Sequence, residues 1–525
     1  MRPRYTRFMT SDLEAAIAAG YGFDAPGVTL GAAMDNEQAI PGAQVRIPLA
    51  MMNRHGLVAG ATGTGKTKTL QVLAEQLSAA GVPVFISDIK GDISGLAAPA
   101  VLNEKLTGRA TAIGFTDYTP TSFPVEFLTL DREGAGVRLR ASVSSFGPIL
   151  LAKVLDLNET QQSVLALAFK YSDDKKLPLI NLADLRALLN HLNSDEGKAE
   201  MAEYGGVATA TAGVIIRKIV ELEQQEADAF FGSPEFEVEH FLRTAPDGRG
   251  VISVLELADM QDRPALFSTF MMWLLASLYE SLPEVGDPEK PKLVFFFDEA
   301  HLLFRDANKT FMGQIELVAR LIRSKGGGVY FVTHSPSDVP PEVLGQLGNR
   351  VQHALRAFTP DDLEVVRATA QTFPSTTLYD VEKELTALGT GEALVTGLDL
   401  KGRPMPTARV MMRPPRSLMA QVGPEVFTAV TAASAIAAGY AADTDPESAK
   451  ELLAARMAKA EADAAEPMEG VEDPESPAER KMRPTKAPER GVDWGGVAEE
   501  GARFARSGAF NTILRAVFGI LGGRR

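Results

Sequence analysis

Cysteine is absent from the 525-residue sequence. Its absence excludes disulfide bonds and thiolate metal sites and fits a reducing compartment, so we expect a cytoplasmic protein. The N-terminal segment MRPRYTRFMTSDLEAAIAAG lacks the continuous apolar run of a secretory signal, and we expect no signal peptide there.

Long apolar runs are also scarce. The longest extends from Ala265 to Leu282 and is interrupted by serine, threonine and glutamate residues. It lies near the lower length limit of a membrane span. We therefore interpret it as a core helix that is buried against a sheet.

A positive excess is lacking as well, because the formal net charge is −15. This value argues against a broad basic surface for nucleic acids. The charge is uneven, with a net −9 in residues 443–479 and +6 in residues 480–525. Any basic track on the acidic body, such as the lining of a ring pore, would have to be local.

The most informative feature that is present is the octapeptide GATGTGKT, which begins at Gly60. It fits the Walker A or P-loop pattern G-x-x-x-x-G-K-[ST], and it stands between a predicted strand and a predicted helix, as that motif requires. Glycines let the loop wrap a phosphate chain, toward which backbone N–H groups point. We expect Lys66 to reach the β- and γ-phosphates of ATP and Thr67 to bind Mg²⁺. The predicted nucleotide-binding residues are Gly60, Ala61, Thr62, Gly63, Thr64, Gly65, Lys66, Thr67 and Lys68.

The segment FFFDEAH contains the second half of an ATPase site, a Walker B motif. Four apolar residues, 294–297, predict a buried strand, and two acidic residues follow at its carboxyl end, where parallel sheets bind their ligands. Asp298 is expected to hold the Mg²⁺ shell. Glu299 is expected to act as the general base that activates water.

Further polar residues end neighbouring strands. His334 follows the strand GVYFVT and occupies the place of a γ-phosphate sensor, although it could merely cap the loop. Asp88 and Lys90 follow the strand VPVFIS and could face the nucleotide or its water, or form an ordinary polar turn. Arginines that a neighbouring subunit could use as a catalytic finger are Arg320, Arg323, Arg350 and Arg356, of which we favour the last two.

Alternating strand and helix patterns predict an α/β fold with a mainly parallel sheet. We expect a short N-terminal segment (1–50), an ATPase domain (51–415) with a helical insertion at about 120–250, and a helical extension (416–466). The Pro- and charge-rich stretch 467–491 predicts a disordered linker. The end of the chain, 492–525, has the spacing of an amphipathic helix.

With these residues in hand, the chain resembles the bacterial HerA-like helicase C-terminal family, within the HerA/FtsK class of P-loop ATPases. The resemblance covers roughly residues 25–415. It is carried by NRHGLVAGATGTGKTKTLQVLAEQLSAAGVPVFISDIKGDISGL, FFGSPEF, the run from DGRGVISVLEL to EKPKLVFFFDEAHLLF, and RSKGGGVYFVTHSPSDVPPEVLGQLGNRVQHALRAFTPDD.

This resemblance implies a RecA-like core that works as a homo-hexameric ring and couples ATP hydrolysis to translocation on DNA. Two departures qualify it. The strand after Walker B ends in Thr333-His334, where the class usually has Thr-Gln, so the donor of His334 depends on its protonation or tautomer. Too few residues precede the P-loop for the β-barrel of HerA itself, so a nuclease partner is not expected.

Three functions remain open from the sequence. The leading one is a Mg²⁺-dependent ATPase motor on double-stranded DNA. The acidic body and the amphipathic C-terminus favour a motor that moves protein. The third is a nucleotide-controlled scaffold, tethered by its terminal helix to a protein or to a membrane surface.

Overall fold

The structure, a computed structural model, describes residues 10–257, 264–305 and 309–465. The chain divides into two compact units, Met1–Leu453 and Ala454–Arg525. The first contains every strand of the described residues. In the second, the structure describes the last part of one helix, up to residue 465. The predicted linker at 467–491 and the amphipathic helix at 492–525 lie outside the described residues.

One twelve-stranded sheet forms the centre of the first unit. Its strand order is β2-β1-β12-β11-β10-β3-β9-β8-β4-β7-β5-β6. In chain order the strands are β1 (Gly27–Asp35), β2 (Gln38–Pro48), β3 (Gly56–Ala59), β4 (Val84–Asp88), β5 (Val125–Thr129), β6 (Val137–Arg138), β7 (Ile252–Glu256), β8 (Leu293–Phe297), β9 (Gly327–Thr333), β10 (Asn349–His353), β11 (Glu392–Thr396) and β12 (Ala408–Met412).

The sheet has a parallel and an antiparallel part. From β10 to β6 every neighbouring pair is parallel. From β10 to β2 every pair is antiparallel. The predicted α/β fold with a mainly parallel sheet is thus confirmed. The carboxyl ends of β3, β9, β8 and β4 meet at one edge, which is where the sequence predicts the site.

Helices cover the sheet, and those that lie between β6 and β7 in the chain form the helical insertion. Their bounds are α1 (Thr10–Tyr21), α2 (Lys66–Ala79), α3 (Glu104–Ala112), α4 (Val143–Val154), α5 (Glu159–Lys175), α6 (Leu182–Asn193), α7 (Asp195–Met201), α8 (Thr209–Gln224), α9 (Pro264–Ser281), α10 (His301–Arg305), α11 (Lys309–Leu321), α12 (Pro341–Leu344), α13 (Pro360–Ala370), α14 (Val381–Ala387), α15 (Pro424–Ala432), α16 (Ala437–Tyr440) and α17 (Ala449–Ala465).

Burial explains why the central strands read as continuous apolar runs. All five residues of β8, LVFFF, are buried, because helices cover both faces of a parallel sheet. The apolar run predicted as a core helix is α9, where Phe270, Leu274 and Leu278 are buried at a spacing of one helical turn. Within the described ranges, none of the helices has the length and apolarity that a membrane span requires.

The helical insertion begins later than its predicted start at about 120. Residues Val125–Thr129 and Val137–Arg138 are strands that extend the parallel sheet. In β5, four of the five residues VEFLT are buried against the rest of the sheet, and aromatic and β-branched residues suit a strand. The helices proper start at α4. Side-chain caps define the N-terminal ends of α4, α5, α6 and α7, including capping boxes at Asn158 and Asn181.

The N-terminal segment contributes to the same sheet rather than standing apart from it. β1 pairs with β12 and β2, and its ladder with β2 contains two register shifts. Among the described strands, β2 stands at one end of the order and has a partner on one side only. It carries exposed Pro41 and Gly42 in its middle.

Candidate nucleotide site

The P-loop connects β3 to α2, as the motif predicts. Gly63 and Gly65 have φ values of 76° and 119°, in a region that a side chain disfavours. The ammonium of Lys66 lies over the loop and donates hydrogen bonds to the carbonyl oxygens of Gly60, at 2.7 Å, and Ala61, at 3.3 Å. The chain thus forms a compact loop with its lysine at the centre and its helix starting at that residue.

Strands on both sides of β3 hold the loop. The backbone N–H of Gly60 donates to Thr333 O of β9 at 3.2 Å, and that of Ala61 donates to Ala354 O beyond β10 at 2.8 Å. On the far side, Gly391 N donates to Thr64 O at 2.8 Å. The loop is therefore fixed by three separate segments of chain.

A buried histidine supports the loop from below. His353 Nδ1 lies 2.8 Å from Glu392 O, and its Nε2 lies 2.8 Å from Thr69 Oγ1. Since a carbonyl oxygen only accepts, Nδ1 carries the proton and Nε2 accepts from the hydroxyl of Thr69. Burial lowers the pKa of His353 to about 4, so it stays neutral. Sequence analysis missed this residue, because its contact with α2 spans almost three hundred positions.

Asp298 lies at the end of β8 among other carboxylates. One oxygen each of Asp298, Asp88 and Asp92 lie within 4.8 Å of one another; we call these three residues the carboxylate cluster. Asp298 is 3% exposed, and within the described part of the chain its Oδ2 has no hydrogen-bond partner. Burial first, then the charges of Glu299 and Asp88, raise its pKa to about 7.

Asp88 closes the turn that follows β4. Its carboxylate accepts from the backbone N–H groups of Lys90, Gly91 and Ile93, at 2.8–3.1 Å. Burial nevertheless raises its pKa to about 6. The next strand adds Glu256, whose pKa burial raises to about 8, with a smaller contribution from Asp88. Sequence analysis missed Glu256 because its strand is distant in the chain.

The carboxylate cluster fits a Mg²⁺ ion. Mg²⁺ prefers oxygen ligands and usually takes one or two protein carboxylates. The unpaired, buried Oδ2 of Asp298 is a ligand atom of this kind, and a cation beside it would offset the burial that raises its pKa. Thr67, the other predicted ligand, is half-buried in the first turn of α2.

Glu299 has neighbours different from those of the carboxylate cluster. Its φ is 48°, an uncommon value for a residue with a side chain, and its carboxylate forms an ion pair with Lys90. Its second oxygen, Oε2, lies 3.2 Å from His301 Nδ1 and 3.2 Å from His334 Nε2. Burial alone would raise its pKa, but the hydrogen bond and charge of Lys90 lower it overall.

The strand-end candidates therefore gather at one edge of the sheet. His334 contacts Glu299, and burial lowers its pKa, so it is neutral at pH 7. Lys90 contacts the same carboxylate and links it to the turn of Asp88. Burial lowers the pKa of Lys66 also, whereas the nearby charges of Glu299 and Asp298 act in the opposite direction. The P-loop lysine and both acids thus share one electrostatic environment.

The remaining candidates are less central. The Lys68 ammonium is buried and has no hydrogen-bond partner among the described residues; the charges acting on it are those of Asp92 and Asp88. Arg350 is partly buried on β10 and donates to Thr372 O at 3.2 Å. Arg356 is exposed, as are Arg320 and Arg323, and Arg323 lies 3.6 Å from Asp287.

His301 was not among the predicted site residues, although it stands within the DEAH sequence. One residue, Ala300, separates it from Glu299, and α10 begins at His301 itself. The turn between β8 and α10 brings its ring back to the carboxylate. That reversal depends on the positive φ at Glu299, which no residue type in the segment signals.

The chain is similar to several known proteins. The family described as Helicase HerA-like C-terminal matches residues 34–525. A protein described as DNA double-strand break repair helicase HerA, from Sulfolobus acidocaldarius, is 23% identical over 365 residues, which cover 67% of this chain and 64% of that protein. One with the same description, from Sulfurisphaera tokodaii, is 24% identical over 366 residues, covering 67% and 64%. The chain thus spans 64% of the length of these two curated relatives.

Among solved structures, the plasmid coupling protein TrwB in complex with ADP and Mg²⁺ has a TM-score of 0.48 and 16% sequence identity to this chain. The aligned region covers 77% of this chain and 98% of that one.

Proposed function

Because the chain belongs to the Helicase HerA-like C-terminal family, we propose that it is a Mg²⁺-dependent P-loop ATPase that assembles as a hexameric ring and moves on double-stranded DNA. The two relatives named above are described as DNA repair helicases, which supports DNA as the polymer. The ATPase part has an independent basis in the geometry of the site.

One observation carries the ATPase proposal. A P-loop lysine and two acidic residues at the end of a buried strand lie at the same edge of the sheet, and the charges of Glu299 and Asp298 act on Lys66. This is the arrangement that phosphoryl transfer to water requires: a cationic cradle, a metal-binding carboxylate and a base.

In the proposed mechanism, Thr62 to Lys68 surround the phosphates with backbone N–H groups, and Lys66 exchanges its carbonyl contacts for phosphate oxygens. Thr67 and Asp298 would hold Mg²⁺, which would supply charge neutralisation on the phosphates. Glu299 takes a proton from the attacking water at Oε2. His334, beside that oxygen, donates a hydrogen bond from its one imidazole N–H to the γ-phosphate, and Lys90 orients the carboxylate of Glu299 through its other oxygen.

In a ring, a neighbouring subunit would supply a further cation to this site. A cation from a neighbouring subunit would stabilise charge on the transferred phosphate. Of the two favoured arginines, Arg356 has the exposed side chain and a long contact of 3.5 Å with Thr386 O, whereas the guanidinium of Arg350 is partly buried and donates to Thr372 O at 3.2 Å. We therefore favour Arg356 for the contact between subunits.

The test is steady-state ATP hydrolysis by the wild type and by Glu299→Gln, with and without double-stranded DNA, at low and moderate salt. We expect Glu299→Gln to lose about 10²–10⁴-fold in kcat, because general-base catalysis contributes that much, while ATP binding persists. Glu235→Gln, a substitution of the same kind in the segment before β7, is the matched control and should keep the wild-type rate.

The rates measured with and without double-stranded DNA show whether DNA is the polymer on which the ATPase acts. We expect the wild-type rate to rise several-fold with DNA, and this stimulation to weaken with salt because phosphate contacts release counterions. A rate that depends on Glu299 but ignores DNA would instead favour the protein-directed motor. A wild type that binds ATP tightly without hydrolysing it would contradict the ATPase and favour the scaffold.

A further inference from the structure

Two histidines and a glutamate form a cluster that the proposed hydrolysis does not fully use. Glu299, His301 and His334 each offer one ligand atom, and these three atoms lie within 4.8 Å of one another. We call them the imidazole cluster. The carboxylate is 4% exposed, whereas the two imidazoles are 29% and 41% exposed at the mouth of the site.

The distances match those between ligands of a single ion. Both histidine nitrogens lie 3.2 Å from the same carboxylate oxygen, Oε2 of Glu299. Two ligand atoms that bind a tetrahedral Zn²⁺ at about 2.0–2.1 Å lie roughly 3.3 Å apart. The two rings are 5.4 Å apart between centroids and inclined by 45°, so neither ring stacks on the other.

Hydrogen bonding does not account for these contacts. Within the described residues, neither Glu299 Oε2 nor His301 Nδ1 has a hydrogen-bond partner, although both atoms are buried. An N–H that donates to a carboxylate aims at the oxygen. Ligands of one metal ion instead direct their lone pairs to a common point between them. The unpaired, almost fully buried carboxylate oxygen is thus positioned as a ligand.

The donor set selects the class of cation. Two imidazoles and one carboxylate suit Zn²⁺ and related first-row transition ions, whereas Mg²⁺ prefers oxygen ligands. Lys90 engages the other oxygen of Glu299, so one oxygen is left for a metal. The positive charges of Lys90 and Lys66 act on the cluster, and they oppose cation binding without blocking it, since the Lys90 side chain is 42% exposed.

From this geometry we propose that Glu299, His301 and His334 bind a Zn²⁺-like transition-metal ion, at a site separate from the Mg²⁺ ligands. A bound ion occupies the oxygen of Glu299 that the proposed function assigns to water activation. It therefore inhibits ATP hydrolysis while Mg²⁺ and ATP remain bound. This inhibition rests on the proposed function, but metal binding itself does not.

Binding is measured on the full-length protein with Co²⁺ alone, without nucleotide, by the visible absorption that a four- or five-coordinate Co²⁺ shows, and by its displacement with Zn²⁺. We expect one Co²⁺ per chain. His301→Gln should weaken binding by at least about tenfold, the lower end of what metal-site substitutions cost. His334→Gln is a second variant with the same expected loss, in case one of the two does not fold.

Two matched variants test whether Co²⁺ binds at the imidazole cluster rather than elsewhere on the chain. His240 also lies near a glutamate, with its Nε2 at 3.7 Å from Glu237 Oε2, but in the described part of the chain no second histidine completes a ligand set with that pair. His240→Gln should therefore bind Co²⁺ as the wild type does. Asp298→Asn removes the carboxylate cluster's main ligand and should also retain Co²⁺ binding. Equal losses in His240→Gln and His301→Gln, or no stoichiometric Co²⁺ binding by the wild type, would overturn the proposal.

Measuring ATP hydrolysis in the presence of Zn²⁺ distinguishes the proposed metal site from the proposed function. With Mg²⁺ in excess, micromolar Zn²⁺ should inhibit hydrolysis by the wild type, and a chelator that spares Mg²⁺ should restore it. If Co²⁺ binds at the imidazole cluster and hydrolysis is unaffected, the metal site stands and the assignment of Glu299 as general base fails.

Discussion

Asp298 and Glu299 are neighbours in sequence, but their side chains belong to two different clusters. Asp298 faces Asp88 and Asp92, in a set of oxygen donors only. Glu299 faces Lys90 and two histidines. Their pKa values shift in opposite directions, since burial and like charges raise that of Asp298 whereas Lys90 lowers that of Glu299.

This difference assigns the two carboxylates to different chemistry. A carboxylate among carboxylates gains from a hard cation, which relieves both burial and repulsion. A carboxylate beside a lysine remains ionised without a metal and is available as a base. The backbone at Glu299 is left-handed, with a φ of 48°, and the two consecutive carboxylates belong to separate groups of ligand atoms.

Apart from the loss expected for Glu299→Gln, the largest effect should come from removing the metal-binding charge. Asp298→Asn should raise the Mg²⁺ concentration that gives the half-maximal rate of ATP hydrolysis by at least about tenfold, since mutating even the outer-shell partners of metal ligands costs about 10–100-fold in affinity. Asp228→Asn, which alters an exposed pair with Arg132, should leave it unchanged. An unchanged Mg²⁺ dependence in Asp298→Asn would mean that the two clusters do not divide the work as proposed.

A smaller effect should follow from removing the partner of Glu299. Lys90→Ala should lower kcat several-fold, because the carboxylate loses the contact that orients it. It should also raise the pKa of Glu299, since Lys90 lowers it. A base must be deprotonated, so the acidic limb of the pH profile of kcat should move to higher pH. A loss of rate without that displacement would assign Lys90 a purely structural role.

The smallest effect concerns stability. The pKa values of Asp88, Asp298 and Glu256 are raised to about 6, 7 and 8, above ordinary values near about 4. Between the ordinary pKa of about 4 and these raised values, the folded protein therefore binds more protons than the unfolded chain. Its free energy of unfolding falls as the pH rises through the folded pKa values. Without Mg²⁺, the melting temperature should fall between about pH 5 and 8, by a few degrees.

Asp298→Asn is the control for that pH dependence. It removes one of the three raised groups, so its melting temperature should fall less steeply over the same range. Mg²⁺ should raise the wild-type value most at high pH. A wild type and Asp298→Asn with parallel pH dependences would show that Asp298 titrates normally.

Much of the molecule follows from local sequence signals. The P-loop glycines and the apolar run of β8 each contain their own evidence, and both lie where they are predicted. The surroundings of Asp298 are a different matter. Asp88 and Asp92 approach it, and Glu256 approaches Asp88, only because β4 lies between β8 and β7 in the sheet. Neighbouring strands in a parallel sheet are distant in sequence, so no single segment signals this grouping.

The positive φ at Glu299 was equally hidden. Left-handed backbone is usually signalled by glycine, asparagine or aspartate, and the segment offers a glutamate there. His353 shows the same limit, since nothing in its strand NRVQH indicates that the hydroxyl of Thr69 lies opposite its ring. The sequence therefore predicts a helix or strand well where one segment determines it. It does not predict the side-chain contacts that form where two distant segments meet.

The end strand β2 has a consequence for how copies of this chain could join. A strand with one open edge can pair with a strand of another molecule and extend the sheet. In β2, the register shifts against β1, the exposed Pro41 and Gly42 make that edge a poor template. A ring of such chains would be joined by side-chain surfaces rather than by a shared backbone ladder. Contacts of that kind can slide and re-form, so each subunit could turn against its neighbour during a cycle while its own sheet stays intact.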